Sequence, residues 1–226
     1  MSGESGDGSD DRAAGSDEVV LGPATRLERI VVATGNRGKL VEIRAILAEA
    51  GHDVKLVAMT ELGVESPVED GDTFEANALI KARACAAATS LTAIADDSGL
   101  EVDALGGAPG IYSARYAGPD ADDDANNAKL RAALTSHPGA ARTARFVCAA
   151  ATVTPEGAET VVRGEMPGRI VDSPRGTGGF GYDPLFVADA TEDGRTNAEL
   201  TPTEKDAISH RGAAFRALAA AFSSGG

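Results

Sequence analysis

A mixed α/β fold is what this sequence predicts, and three features carry the expectation. Arg29-Ile30-Val31-Val32-Ala33 is a short apolar run that passes through a glycine-containing turn into a helical periodicity, the pattern of a strand–loop–helix unit. An alanine-rich helical stretch over residues 72–88 feeds into a second apolar run, Leu91-Thr92-Ala93-Ile94-Ala95. Residues 145–154 and 160–166 are apolar-rich and separated by Pro155-Glu156-Gly157, which predicts an antiparallel hairpin. A hairpin beside strand–helix units implies a sheet with both parallel and antiparallel neighbours.

Along the chain, the first helix begins near Lys39. Leu40, Ile43 and Leu47 fall at i, i+3 and i+7, and Gly51 is placed to end the helix. Residues 54–58 read as a second strand, followed by an irregular acidic segment over residues 61–71. Asp72 with Glu75 three residues later has the form of a capping box with Asp in place of Ser or Thr. The alanine run behind it is a strong helix former on which Asn77 and Lys81, four apart, share a face. The strand at 91–95 discharges into Asp96-Asp97-Ser98-Gly99, so two adjacent carboxylates emerge at a strand end. Residues 100–118, with Gly106, Gly107, Pro109 and Gly110, form a structured loop. A helix spans roughly 122–134, residues 174–184 are a glycine-rich loop, and Ser209 can cap a final helix ending near Phe222.

At 226 residues and 42% hydrophobic content, the chain has enough apolar material for one unit with a real core and a cleft. The formal charge of -14, without any Lys/Arg-rich run, argues against a nucleic acid or an anionic membrane as partner. Residues 1–18 contribute five of those negative charges, and residues 1–27 are expected to be a disordered acidic extension to a domain at 28–226. Neither a signal sequence nor an 18-residue apolar run occurs, which points to the cytoplasm. Cys85 and Cys148 are too few and too distant for a disulfide framework or a zinc site; they read as small buried hydrophobes. Oxygen ligands and Mg2+ are then the available metal chemistry.

Four clusters could carry that chemistry. Asp96 and Asp97 alternate to opposite faces if the strand persists, so one faces the cleft while the other supports it, although Asp-Asp-Ser-Gly is also good turn chemistry. Thr34-Gly35-Asn36-Arg37-Gly38-Lys39 joins a strand to a helix, where backbone N–H groups and the helix N-terminus can cradle phosphate and Lys39 adds a full charge. Its spacing is not that of a P-loop, because Leu40 stands where a Ser or Thr would reach Mg2+. Gly178-Gly179-Phe180-Gly181-Tyr182-Asp183 offers an aromatic stacking face and close backbone approach, in a chain with only 4% aromatics. Lys205 and His210-Arg211 bracket the start of the last helix. Cations are misplaced against the dipole there unless an anion or an acidic neighbour is present.

With these clusters in this order, the chain closely resembles the inosine triphosphate pyrophosphatase family over residues 30–222. The resemblance rests on Ala33-Thr34-Gly35-Asn36-Arg37-Gly38-Lys39, on residues 72–78, on Ala95-Asp96-Asp97-Ser98-Gly99-Leu100 continued through residues 106–115, on residues 176–184, and on Ser209-His210-Arg211. It implies a two-lobed α/β fold on a long mixed sheet with flanking helices, a substrate cleft between the lobes, a Mg2+ requirement, and a homodimer. The activity implied is hydrolysis of deaminated purine nucleoside triphosphates, ITP, dITP and XTP, to the monophosphate and pyrophosphate. Carried over motif by motif, residues 34–39 would bind the triphosphate. Asp97 would be proton acceptor and Mg2+ ligand, and Ser98 would touch substrate. Glu69 would be the second metal-side carboxylate, with Asp70 as an alternative. Phe180, Gly181, Tyr182 and Asp183 would stack on and read the base, Lys205 and Lys81 would contact substrate, and His210 and Arg211 would recognise the 6-oxo edge. The acidic N-terminal extension and Ala76, where many members carry Glu, depart from the family pattern. A pyrophosphatase for other modified nucleotides and a non-catalytic nucleotide sensor are the alternatives.

Overall fold

The computed structural model describes residues 29–51 and 54–223. The acidic extension expected over residues 1–27 lies outside them. Six strands form among the described residues: β1 (Arg29–Val32), β2 (Lys55–Ala58), β3 (Thr92–Val102), β4 (Thr143–Val153), β5 (Glu159–Ile170) and β6 (Phe186–Ala188). They build one sheet in the order β2–β1–β3–β4–β5–β6. β1 is parallel to both β2 and β3, and every later pair is antiparallel, so the sheet is mixed as expected. The helices are α1 (Arg37–Glu49), α2 (Phe74–Thr89), α3 (Asp123–Thr135), α4 (Pro202–Ile208) and α5 (His210–Ser223).

Side-chain alternation along β1 decides where the helices go. Ile30 and Val32 face α1 and α5, packing with Ile43, Leu47, Phe215 and Leu218. Val31 and Ala33 face α2, packing with Phe74, Ala78, Ala82 and Cys85. The crossover after β1 therefore runs over one face of the sheet and the crossover after β2 over the other. In such an arrangement a crevice opens beyond the carboxyl end of the central strand. A third core, with Leu100, Val102, Leu130, Leu134, Met166 and Phe186, fills the far half of β3–β5 under α3, and this gives the two lobes. Both cysteines are free and buried.

Four local expectations need correction. The acids are not at a strand end: β3 continues to Val102, with Asp96 opposite Ala150 and Asp97 opposite Ala149 of β4. β4 supplies hydrogen-bond partners along the whole of β3, whereas β1 stops at Val32, opposite Ile94. The acids thus begin where one neighbour ends, and the apolar run ends there because one flank of the strand opens. Helix α1 starts earlier than Lys39, because the side-chain Oδ1 of Asn36 caps it by accepting from Gly38 N (2.8 Å) and Lys39 N (3.2 Å). The cap of α2 is Thr73, whose hydroxyl accepts from Ala76 N (3.1 Å), and not Asp72. Finally, α4 intervenes before the last helix, with Pro202 in its first turn and a capping box between Thr201 and Glu204. The hairpin β4–β5, helix α3 within a residue of its expected bounds and the Ser209 cap of α5 (from Gly212 N, 2.9 Å) follow the sequence reading, while Asp122 is the cap of α3 and not its first residue.

Helix α5 lies on β5 at a glycine. A Cβ on Gly164 would stand 2.2 Å from His210 O and 2.5 Å from Ala214 N, both backbone atoms that cannot swing aside. Gly164→Ala is therefore expected to cost about 1–3 kcal/mol of stability in urea unfolding. A variant as stable as the parent would contradict this close seating.

Candidate active site

The first wall of the site is the loop leaving β1. Thr34 Oγ1 accepts from Asn36 N (3.1 Å), fixing the turn that lets Asn36 cap α1. The first turn of α1 carries no acid to neutralise its positive end. Gly35 is exposed, and a Cβ there would meet nothing within 4 Å. Lys39 reaches across the crevice to Asp96 Oδ2 (2.9 Å). The side chain of Arg37 lies outside what the structure describes.

The second wall is β3, where alternation separates the two acids. Asp97 faces α2: Asn77 Nδ2 donates to its Oδ2 (3.2 Å) and Lys81 Nζ to its Oδ1 (3.3 Å), while the same ammonium holds Glu69 Oε2 (2.8 Å). Asn77 and Lys81 thus act from the one helix face expected of them, and Glu69, rather than the exposed Asp70, is the acid drawn in. Asp96 faces α1 and α5. Its Oδ2 accepts from Lys39, from Arg211 Nε (3.4 Å) and from Ser98 Oγ (3.5 Å). Burial pushes the Asp97 carboxyl up, Lys81 pulls it down and Glu69 adds to the rise, leaving it above its ordinary value. Burial would also raise Asp96, but Lys39, Arg211 and Lys81 hold it well below. Lys81 itself, although burial opposes its charge, is held above its usual range by Asp97, Glu69 and Asp96. Of the two acids, Asp97 is the better proton acceptor.

The third wall is made by the glycine-rich loop and the two last helices. Phe180 is 52% exposed, with Lys205 Nζ 4.7 Å from its ring centroid. Its ring is presented because Asp183, buried below, accepts from Phe180 N (3.0 Å), from Asn197 Nδ2 (3.2 Å) and from Lys205. Tyr182 is in the core, its hydroxyl donating to Ser113 O (2.8 Å). His210 is buried and stacked on Phe146, centroids 5.1 Å apart and planes 13° apart, with no partner at Nδ1 among the described residues. Burial, with Arg211 and Lys205 nearby, holds its pKa well below the ordinary value, so the ring is neutral at pH 7. Arg211 is clasped by Asp96, by Glu42 and by Ser98 Oγ (3.3 Å). Lys205 belongs to α4 rather than flanking one continuous helix start. The charge mismatch seen in the sequence is met by acidic neighbours, Asp183 for Lys205 and Asp96 with Glu42 for Arg211.

These walls enclose a cleft of roughly 250 Å³ lined by Asn36, Lys39, Ser98, Phe180, His210 and Arg211 among others. That is slightly below the range of about 300–1,000 Å³ usual for whole ligands. It suits one flat ring rather than a complete nucleotide. Asp97, Glu69 and Lys81 do not line it; they lie across β3, on the α2 side of the same crevice. Glu42 was within reach of sequence reasoning, since it follows Lys39 by three residues on one helix face. Phe146 was not, because in a strand it looks like ordinary core.

Fold and cleft define a mixed α/β protein with an anion-receptive helix start and a ring-sized pocket on opposite walls of one groove. The chain belongs to the Ham1 family, whose model matches residues 30–221. It is 52% identical to a dITP/XTP pyrophosphatase of Bifidobacterium animalis subsp. lactis, with 84% of this chain and 94% of the relative covered. It is 56% identical to one from Frankia alni, covering 84% and 95%. Among solved structures, a HAM1 protein from Coxiella burnetii superposes with a TM-score of 0.81 at 41% identity, covering 88% of this chain and all of that one. A nucleoside-triphosphatase / dITP/XTP pyrophosphatase from Mycobacterium abscessus gives 0.69 at 50% identity, covering 85% and 97%.

His210 makes a pH prediction. Its folded pKa lies below the unfolded value of 6.5, so protonation favours the unfolded chain. The stability this group contributes is complete above pH 6.5 and is lost as pH falls below it, by at most about 1.4 kcal/mol per pH unit. Urea titrations between pH 5 and pH 8 should show that decline in the parent and a shallower one in His210→Gln. Equal slopes would contradict a neutral buried ring.

Proposed function

We propose that this protein is a Mg2+-dependent pyrophosphatase that hydrolyses deaminated purine nucleoside triphosphates, ITP, dITP and XTP, to the nucleoside monophosphate and pyrophosphate. The observation that carries the reading is the division of labour across β3. A carboxylate pair sharing one lysine lies on one side, a ring-sized pocket with buried donors on the other, and the unneutralised start of α1 between them. The relatives' named activity and a match over 84% of the chain support it.

Among the described residues there is no cluster of three or more His, Cys, Asp or Glu side chains suited to a metal. Two carboxylates nevertheless fit Mg2+, which is usually held by one or two of them together with waters and the substrate's phosphates. Asp97 and Glu69 would hold it. When bound, it supplies positive charge against the phosphates and lowers the pKa of water at the site. The protein's own groups do the rest. Asp97 accepts the proton of the water that attacks the α-phosphorus. Asn77 and Lys81 hold the Asp97 carboxylate in place, and Lys81 adds charge near the phosphates. The N–H groups of residues 34–38 and the Lys39 ammonium bind the triphosphate. Ser98 touches substrate from β3, and Phe180 stacks on the purine with Gly181, Tyr182 and Asp183 shaping the loop beneath it.

Selectivity follows from donors in the cleft. His210, being neutral, carries one N–H, and with Arg211 it presents donors to the 6-oxo group. Adenine has an amino group there, and leaving buried donors unpaired costs on the order of 1–3 kcal/mol each. Guanine shares O6, so its rejection depends on the 2-amino group. A silent nucleotide sensor is the weaker reading, since an anion binder gains nothing from Asp97 and Glu69 beside phosphate. The same reading makes residues 28–226 one catalytic unit of a cytoplasmic homodimer without a nucleic-acid partner. Among the described residues no helix is long and apolar enough to cross a membrane, and the net charge is -14.

Turnover of dITP, XTP and ITP with Mg2+ should release pyrophosphate, not orthophosphate, with GTP and ATP far slower. Asp97→Asn should lower kcat by about 10²–10⁴-fold while dITP binding, read by calorimetry, persists. Equal turnover of all five nucleotides, or an active Asp97→Asn protein, would overturn the reading.

A further inference from the structure

Helix α3 grips the aromatic loop at a single residue from two sides. Asp123, the first residue of α3, accepts from Gly181 N through Oδ2 (2.6 Å), and Asn127, one turn later on the same face, donates from Nδ2 to Gly181 O (2.9 Å). Gly181 stands between the exposed Phe180 and the buried Tyr182 and has a left-handed φ of +61°. Both polar groups of that residue's backbone are thus tied to α3, while the N–H of Phe180 is tied to Asp183.

The helix is a fixed anchor. Leu130 and Leu134 are buried in the far lobe, and Asn126 holds the preceding loop by accepting from Ala117 N (2.8 Å) and donating to Ala114 O (3.2 Å). Asp123 is exposed at the cleft wall, so its hydrogen bond orients the loop more than it stabilises the fold.

We propose that Asp123 and Asn127 are positioning residues that hold the backbone of the Phe180 loop in its stacking orientation, so that α3 sets affinity for the purine through that ring. This rests on the reading that Phe180 stacks on the base. A flip of the Phe180–Gly181 peptide would carry the ring off its face; the hydrogen bond at Gly181 N opposes that flip, and the one at Gly181 O holds the next peptide.

A double-mutant cycle tests it. Asp123→Ala should raise KM for dITP about fivefold to tenfold and leave kcat within about twofold, as expected for loss of a hydrogen bond to a charged group that acts in binding. Asp123→Asn, which keeps the acceptor, should restore KM. In a Phe180→Ala background, itself raised in KM, Asp123→Ala should add nothing, because the two residues act through one ring. The proposal is overturned if the effects of Asp123→Ala and Phe180→Ala multiply, if Asp123→Ala leaves KM unchanged, or if it lowers kcat and thermal stability together without rescue by Asn. A Phe180→Ala protein with unaltered KM overturns instead the stacking reading on which the proposal stands.

Discussion

One residue of spacing on a β-strand separates two carboxylates by the thickness of a sheet, and the site is built on that separation. Asp96 and Asp97 are neighbours in the chain, yet one answers to Lys39 and Arg211 and the other to Lys81 and Asn77. Had both projected to one face, their mutual repulsion would have forced one to stay protonated. The strand divides them, and each meets its own cation. The same alternation gives them opposite behaviour: Asp96 is locked in its charged form, while Asp97 is left more basic than an ordinary aspartate.

Buried charge is costly unless it is paired and hydrogen-bonded, and the cations here come from elements far apart in the chain. Lys39 arrives from the start of α1, Lys81 from the middle of α2 and Arg211 from the first turn of α5. Asp96 is therefore a meeting point for the phosphate-side loop and the base-side helix, joining α1 and α5 across β3. One of its oxygens, Oδ1, is buried with no partner among the described residues. The Lys39 ammonium at 2.9 Å and the nearby Arg211 charge on the other oxygen are what keep that arrangement tolerable.

Much of this was legible in the sequence because period and punctuation agree. The apolar run Ile30-Val31-Val32, the i, i+3, i+7 spacing of Leu40, Ile43 and Leu47, and the Pro155-Glu156-Gly157 turn each specify one local structure, and the fold assembles them as read. The misreadings have separate causes. A strand whose neighbour ends early looks finished at the residue where its apolar run stops, so the continuation from Asp96 to Val102 was hidden by the very acids it carries. The Asp72 and Thr73 caps differ by one residue, and sequence alone gives both the right chemistry. Helix α4 is only 7 residues long, too short to show a period. For the site, residue types were visible but partnerships were not: Phe146 beneath His210, Glu42 against Arg211, and Asp123 with Asn127 on Gly181 are long-range pairings that no local pattern encodes.

The most direct test of the account is a crystal structure with Mg2+ and a non-hydrolysable dITP analogue. The division of charge across β3 predicts metal on the Asp97 and Glu69 side, triphosphate along the start of α1, and hypoxanthine between Phe180 and the His210–Arg211 wall. Metal on Asp96, or a purine seated away from Phe180, would contradict it.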